Sequence, residues 1–250
     1  MENKKYRTFE IVDGKIKITN AISKFMRFVY GTCFFAIDSP KNSEEFMKRC
    51  EVIGYLFSGD YNKKRMNVLL YNNAADAGSG KSVFITGITD LLVLYHSYNG
   101  YHGVLDVPGR DISIPKRLDM LSEHLRRTQP SFIHINDMKI NFDFEALIHR
   151  NLNLCSMRIA RKHEIDDVIN DYIPIIISTN VHISRMPQFK NGSTQRRFYT
   201  LHFSPYYVYN NIEGEFGVEL FGKDYSTLDY AQDLVFCLDC LDFYNDLNAK

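Results

Sequence analysis

The chain has 250 residues, 45% apolar and 24% charged, a balance that suits one large buried core or one core with a small appended domain. Lys plus Arg equals Asp plus Glu at 30 each, which argues against an extended basic coat for nucleic acid. Any DNA contact has to be local, through a few side chains on a loop or in a channel. Five cysteines, at positions 33, 50, 155, 237 and 240, are too few, too scattered and odd in number for a disulfide scaffold, and suit a reducing cytosol. The start, Met1-Glu-Asn-Lys-Lys-Tyr-Arg7, lacks the apolar stretch of a signal peptide. The strongest apolar run, Ile173-Pro-Ile-Ile-Ile177, is far shorter than the about 20 residues a membrane helix requires. A cytoplasmic protein with no membrane partner is expected.

In chain order, the first element is a hairpin. Phe9-Glu-Ile-Val-Asp-Gly-Lys-Ile-Lys-Ile18 alternates around an Asp13-Gly14 turn. Apolar periodicity then predicts a helix over 21–30 and a second from Ser43 to about residue 57, with Glu44 and Glu45 in its first turn. From Asn67 the texture changes to short apolar runs. Val68-Leu-Leu-Tyr71, Phe132-Ile-His-Ile135, Ile175-Ile-Ile-Ser178 and Phe198-Tyr-Thr-Leu-His-Phe203 predict strands, and a helix over 82–98 separates the first two. An irregular aromatic stretch follows Phe203, and a final helix covers 227–247. Cys237-Leu-Asp-Cys240 sits inside the apolar pattern of that helix, with no second pair to complete a zinc site, so core packing is expected. Strand-loop-helix alternation argues for an α/β fold with a largely parallel central sheet. The expected division is an N-terminal hairpin and helical lead-in over 1–65, a core over 66–205 and a C-terminal helical segment over 206–250.

Ala77-Gly-Ser-Gly-Lys-Ser82 falls between a predicted strand and a predicted helix. A phosphate-binding loop needs small residues so that backbone N–H groups can converge on the phosphates. It also needs a helix N-terminus behind them, a lysine for the β/γ oxygens and a hydroxyl for Mg²⁺. Ala77, Gly78, Ser79, Gly80, Lys81 and Ser82 form that loop, and Lys81 and Ser82 supply its cation and its metal-facing hydroxyl. The strict pattern has glycine at position 75, where this chain has Ala75. The strand before Lys139 ends in Asn136-Asp137. A magnesium nucleotide site requires a carboxylate at such a strand tip, to hold the metal's water shell or orient the attacking water. Asn136 can accept a hydrogen bond from metal-bound water but has no charge, so Asp137 bears the acidic role alone. A third strand, Pro174-Ile-Ile-Ile-Ser-Thr-Asn180, closes on Asn180, which could hydrogen-bond the γ-phosphate or the attacking water. Gln195-Arg-Arg-Phe-Tyr199 then offers Arg196 and Arg197 as guanidiniums for charge on the transferring phosphoryl.

This set resembles the superfamily-three helicases, AAA+-like P-loop ATPases, and among them the primase-helicases of poxviruses, phages and mobile elements. The matching stretch runs from Phe46-Met-Lys-Arg-Cys-Glu-Val-Ile-Gly-Tyr-Leu56 to Phe216-Gly-Val-Glu-Leu-Phe221, more than half the chain. Residues 77–82 match motif A, 132–139 motif B and 175–180 motif C. Arg196 and Arg197 stand where the family keeps its arginine finger. Cys155-Ser-Met-Arg-Ile-Ala-Arg-Lys-His-Glu164 is similar to motif B′. His202-Phe-Ser-Pro-Tyr-Tyr207 and Glu215-Phe-Gly217 resemble the C-terminal end of phage and mobile-element primases.

The resemblance implies an AAA+-like three-layer sandwich and a homo-hexameric ring that hydrolyses ATP with Mg²⁺ and moves 3′ to 5′ on single-stranded or forked DNA. A primase or other replication protein is an implied partner. Motif B′ would form a hairpin with Arg161, Lys162 and His163 at its tip, gripping DNA phosphates without sequence preference. In this reading Lys81, Asp137, Asn180 and Arg197 (or Arg196) are catalytic, and Ser82 and Asp137 hold the metal. Two other readings stand beside it. One is a nucleotide-binding initiation, loader or scaffold ATPase with weak hydrolysis, which Asn136 favours. The other is a small-molecule kinase, which has little use for a downstream asparagine and arginine pair.

Overall fold

The computed structural model describes residues 4–37, 39–61, 64–72, 78–96, 103–109, 130–139, 157–161, 164–169, 172–190 and 192–249. In chain order the strands are β1 (Lys4–Lys5), β2 (Phe9–Val12), β3 (Lys15–Ile18), β4 (Asn67–Asn72), β5 (Val104–Pro108), β6 (Phe132–Asn136), β7 (Met157–Arg161), β8 (Glu164–Ile169), β9 (Ile175–Ser178) and β10 (Phe198–Phe203). The helices are α1 (Lys24–Gly31), α2 (Pro40–Ser58), α3 (Lys81–His96), α4 (Gly192–Gln195), α5 (Tyr206–Tyr209), α6 (Ile212–Phe216) and α7 (Thr227–Asn248). The chain divides into two compact units. One is Met1–Gly59, Asn72–Gly100 and Leu201–Lys250; the other is Asp60–Tyr71 and Tyr101–Thr200. Each draws on separated stretches of chain.

In the first unit the hairpin forms as its sequence predicts. Asp13 and Gly14 take φ of 50° and 74°, the left-handed pair that a tight two-residue turn requires. Helix α1 begins later than its apolar pattern suggested, because the Ser23 side chain accepts from Met26 N and caps the first turn. Helix α2 begins earlier, at Pro40, whose ring presets φ for a first helical position, and it stops at Gly59 with φ 66°. That earlier start moves Glu44 and Glu45 out of the first turn. Glu45 is buried and accepts from Arg49 Nη1 at 3.1 Å and from His202 N at 3.1 Å, while Arg49 Nη2 donates to the His202 carbonyl at 2.7 Å. Helix α7 carries a capping box between Ser226 and Asp229 and packs on α2 so closely that a Cβ on Gly54 would overlap the Cys240 carbonyl. Cys237 and Cys240 are fully buried there, and burial pushes both thiols well up, which suits packing rather than metal binding. The aromatic stretch after Phe203 is more regular than its sequence suggests, forming α5 and α6.

A five-stranded, mainly parallel sheet has the order β10-β4-β9-β6-β5, with β4–β9, β9–β6 and β6–β5 all parallel, and β5, β6 and β9 lie wholly in the second unit. This is the expected α/β fold. All four predicted strands form; β5 is an addition, whose mixed Val104-Leu-Asp-Val-Pro108 gives little apolar signal. On one face Leu69, Ile133, Ile135, Ile175 and Ile177 pack with Met186, Phe189 and Phe198. Val68, Leu70, Phe132 and Ile176 alternate with them and are also fully buried, which is why these strands read as nearly continuous apolar runs. The remaining strands, β7 and β8, form an antiparallel pair in which Arg161 faces Glu164.

Candidate nucleotide site

The loop entering α3 owes its shape to two glycines. Gly78 and Gly80 take φ of 108° and 89°, a region open to glycine and strained for other residues. A Cβ on Gly80 would come 2.8 Å from the Phe28 ring, whereas one on Gly78 would meet nothing within 4 Å among the described residues. The inner glycine is therefore required by both conformation and space, the outer one by conformation alone. The helix starts at Lys81, with Phe84 N donating to the Gly80 carbonyl at 2.9 Å. No acidic residue occupies its first turn, so the helix end keeps its attraction for anions. Lys81 Nζ donates to Ser79 Oγ at 2.9 Å, and both residues are buried. Ser82 is exposed, and its hydroxyl has no partner among the described residues. A cation, a free hydroxyl and a glycine-shaped backbone at a helix head suit a polyphosphate. Ala75 and Ala77 lie outside the described residues.

The acidic tip is built differently. Strands β6 and β9 are neighbours and parallel, so Asn136-Asp137 and Ser178-Thr179-Asn180 emerge at the same edge of the sheet, the edge where open parallel sheets bind ligands. Asp137 takes φ 51° and turns the chain sharply after the strand. The turn is strapped from both sides. Met138 N donates to the Ser178 carbonyl at 3.0 Å, and Thr179 Oγ1 donates to the Met138 carbonyl at 2.8 Å. Met138 is buried in the core below, and Gly109 approaches so closely that a Cβ there would lie 2.8 Å from Met138 Cα. Asp137 is left exposed, with its carboxylate unpartnered among the described residues. Thr179 Oγ1 also accepts from Val181 N at 3.0 Å, which fixes the backbone on both sides of the half-buried Asn180.

Beside this tip runs a polar chain that was not among the expected site residues. His134 Nδ1 lies 3.1 Å from Asp106 Oδ1, and its Nε2 lies 3.1 Å from Ser178 Oγ. Ser178 Oγ in turn donates to Asn136 Oδ1 at 3.1 Å. The hydrogen bond from His134 holds the Asp106 carboxyl below its usual range, against the opposing pull of partial burial. The signal in the sequence was a histidine inside an otherwise apolar strand. The Asn136 carbonyl oxygen, expected to accept from metal-bound water, is engaged by Ser178.

Arg196 and Arg197 lie in the turn between α4 and β10, where Arg196 N donates to the Gly192 carbonyl and Arg197 N to the Thr194 carbonyl. Both are exposed, and neither guanidinium is paired among the described residues. Arg161 ends β7, while Lys162 and His163 lie outside the described residues. Lys81 and Ser82 belong to the first unit; Asp137, Asn180, Arg196 and Arg197 belong to the second. Among the described residues no helix is long and apolar enough to cross a membrane.

No protein-family model and no curated protein matches the chain. Among solved structures, the A-form apo structure of the NrS-1 C-terminal region (305–718) is similar, at 13% identity and a TM-score of 0.43, over 98% of this chain and 51% of that one. The chain thus spans about half the length of that structure.

Proposed function

We propose that the chain is an ATP-dependent DNA helicase of the superfamily-three type, hydrolysing ATP to move along single-stranded or forked DNA within a homo-hexameric ring. One observation carries the reading. The same chain holds a loop with Lys81 and Ser82 at the head of a long helix, and two adjoining parallel strands that are followed by Asp137 and Asn180. Lys81 binds the β- and γ-phosphate oxygens, and the amides from Gly78 to Ser82 cradle them. Ser82 and Asp137 are the residues that would hold magnesium, which would neutralise charge on the transferring group. Asp137 orients and polarises the attacking water from a backbone that cannot swing. Asn180 reports whether the γ-phosphate is present. An exposed Arg197, or Arg196, reaches the phosphoryl group of a neighbouring subunit. Arg161, Lys162 and His163 grip DNA phosphates, and a primase or other replication protein supplies the substrate strand.

A second reading, a replication-initiation or loader ATPase with weak hydrolysis, draws on the Asn136 carboxamide, which stands where a second carboxylate would strengthen the metal site. ATP turnover with and without single-stranded DNA separates the two. DNA stimulation of about tenfold or more supports the helicase, with Arg197→Ala losing turnover while keeping nucleotide binding. Tight ATP binding with no turnover supports the second reading. DNA indifference with phosphoryl transfer to a metabolite discards both. A chain that sediments as a monomer with ATP and DNA removes the arginine from its role.

A further inference from the structure

Helices α3 and α7 line an open groove within the first unit. The second half of α3 presents Asp90, Val93 and Leu94 to it, and the first turns of α7 present Thr227, Tyr230, Ala231 and Leu234. Spacings of three, four and seven residues place each set on one face of its helix. The cavity between the two faces is about 530 Å³. Apolar side chains here stand in water: Val93 is 43% exposed, Leu94 45%, and Leu228, next to Thr227, 66%. Three of the eight exposed large hydrophobic residues among the described residues fall in this one place, a concentration that marks a binding surface.

The walls of the groove are fixed by contacts of their own. Ser226 and Asp229 close a capping box over the first turn of α7, and Lys24 Nζ lies 2.9 Å from Asp229 Oδ1. The Tyr230 ring packs on Phe221 and Tyr225, with centroids 5.8 and 5.1 Å away. Its hydroxyl donates to Asp90 Oδ2 at 3.5 Å, a long bond. Asp90 is the charged residue among those lining the groove, and it is half-buried. Burial raises its carboxyl above the usual carboxylate range, against the pull of the tyrosine hydroxyl. A carboxylate set among valine, leucine and alanine side chains, with one long hydrogen bond to it, calls for a cation.

We propose that the α3–α7 groove receives an amphipathic helix of a partner protein, whose apolar side chains at i, i+3 and i+7 fill the cavity and whose arginine or lysine pairs with Asp90. Two neighbouring helices leave a furrow that a third helix fills by ridges-into-grooves packing, with anchors at those spacings. The occupant is protein rather than nucleic acid, because the charge in the groove is negative and repels phosphate. Asp90 lies about 14 Å along α3 from Lys81, at the rise of an α-helix. Docking therefore needs neither nucleotide nor hydrolysis, and the proposal stands whether or not the chain is a helicase.

The test titrates the full chain, by fluorescence anisotropy, against labelled alanine-based peptides of about 15 residues, near the length at which an isolated helix holds. Each carries leucine at i, i+3 and i+7 and one arginine, stepped through the flanking positions; matched peptides carry citrulline or glutamate instead. Arginine in the best register is expected to bind about fivefold tighter than citrulline, with glutamate weakest. In Asp90→Asn the arginine and citrulline peptides bind alike. Ala231→Arg fills the groove from an exposed position and repels the cation, so binding is lost while the far-ultraviolet circular dichroism is unchanged. Val93→Lys, also at an exposed position, serves if that variant does not fold. No binding in any register overturns the proposal, as does binding that survives Ala231→Arg. An arginine preference that is absent, or that Asp90→Asn leaves intact, overturns it too. Self-association of the chain that Ala231→Arg abolishes makes the occupant a second copy and discards the partner helix.

Discussion

The loop at 78–82 and the strand tip at 136–138 are both assigned to the same phosphate chemistry, yet they are held in opposite ways. The loop is shaped by residues that lack a side chain: Gly78 and Gly80 reach φ values that other residues resist. The tip contains a left-handed residue that is not glycine, Asp137, and it keeps that conformation because a backbone and a side-chain bond strap Met138, the residue that follows it. A loop that closes around a ligand benefits from conformational freedom. A carboxylate that aims water benefits from having none.

Four substitutions test that contrast, the largest effect first. Lys81→Ala removes the cation and its bond to Ser79, and ATP turnover measured by phosphate release is expected to fall by roughly 100-fold or more with the far-ultraviolet circular dichroism unchanged. Retained turnover would falsify the phosphate role of the loop. Gly80→Ala places a Cβ against the Phe28 ring at an unfavourable φ and is expected to lower unfolding stability by about 1–3 kcal/mol. Gly78→Ala, whose Cβ would meet nothing within 4 Å among the described residues, is expected to lower it by only about 1 kcal/mol, read from the same urea titrations. Equal losses at the two positions would mean that the Phe28 contact is unimportant. Thr179→Val removes one strap at the tip while keeping the side-chain volume. It is expected to lower stability by about 1 kcal/mol and to reduce turnover more than Mg²⁺-nucleotide affinity, since the carboxylate is retained but less well aimed. A change confined to affinity would show that the straps serve binding rather than alignment.

Much of the fold could be read directly. Alternation around Asp13-Gly14 predicted the hairpin, and apolar runs predicted β4, β6, β9 and β10, because short-range pattern and burial coincide in those segments. Element starts were less legible. Helix α2 begins at Pro40 rather than beyond Ser43, because a preset φ outweighed the acidic pair, and Glu45 is instead drawn into a buried ion pair with Arg49. Strand β5 was missed because its exposed Asp106 and terminal Pro108 break the apolar run.

For the candidate site, residue order alone offered Gly78, Gly80, Lys81 and Ser82 at short, fixed spacing, and Asp137, Asn180 and the arginine pair as polar groups just beyond or before predicted strands. Strand neighbourhood could not be read that way. Asp106, His134 and Ser178 are far apart in the chain, and only the parallel register of β5, β6 and β9 sets them within hydrogen-bonding reach. The primary structure determined which chemical groups the protein carries and which local backbone shapes it can adopt. Sheet order and register decided which of those groups come within hydrogen-bonding reach, because hydrogen bonding depends on distances of about 3 Å that separation along the chain does not specify.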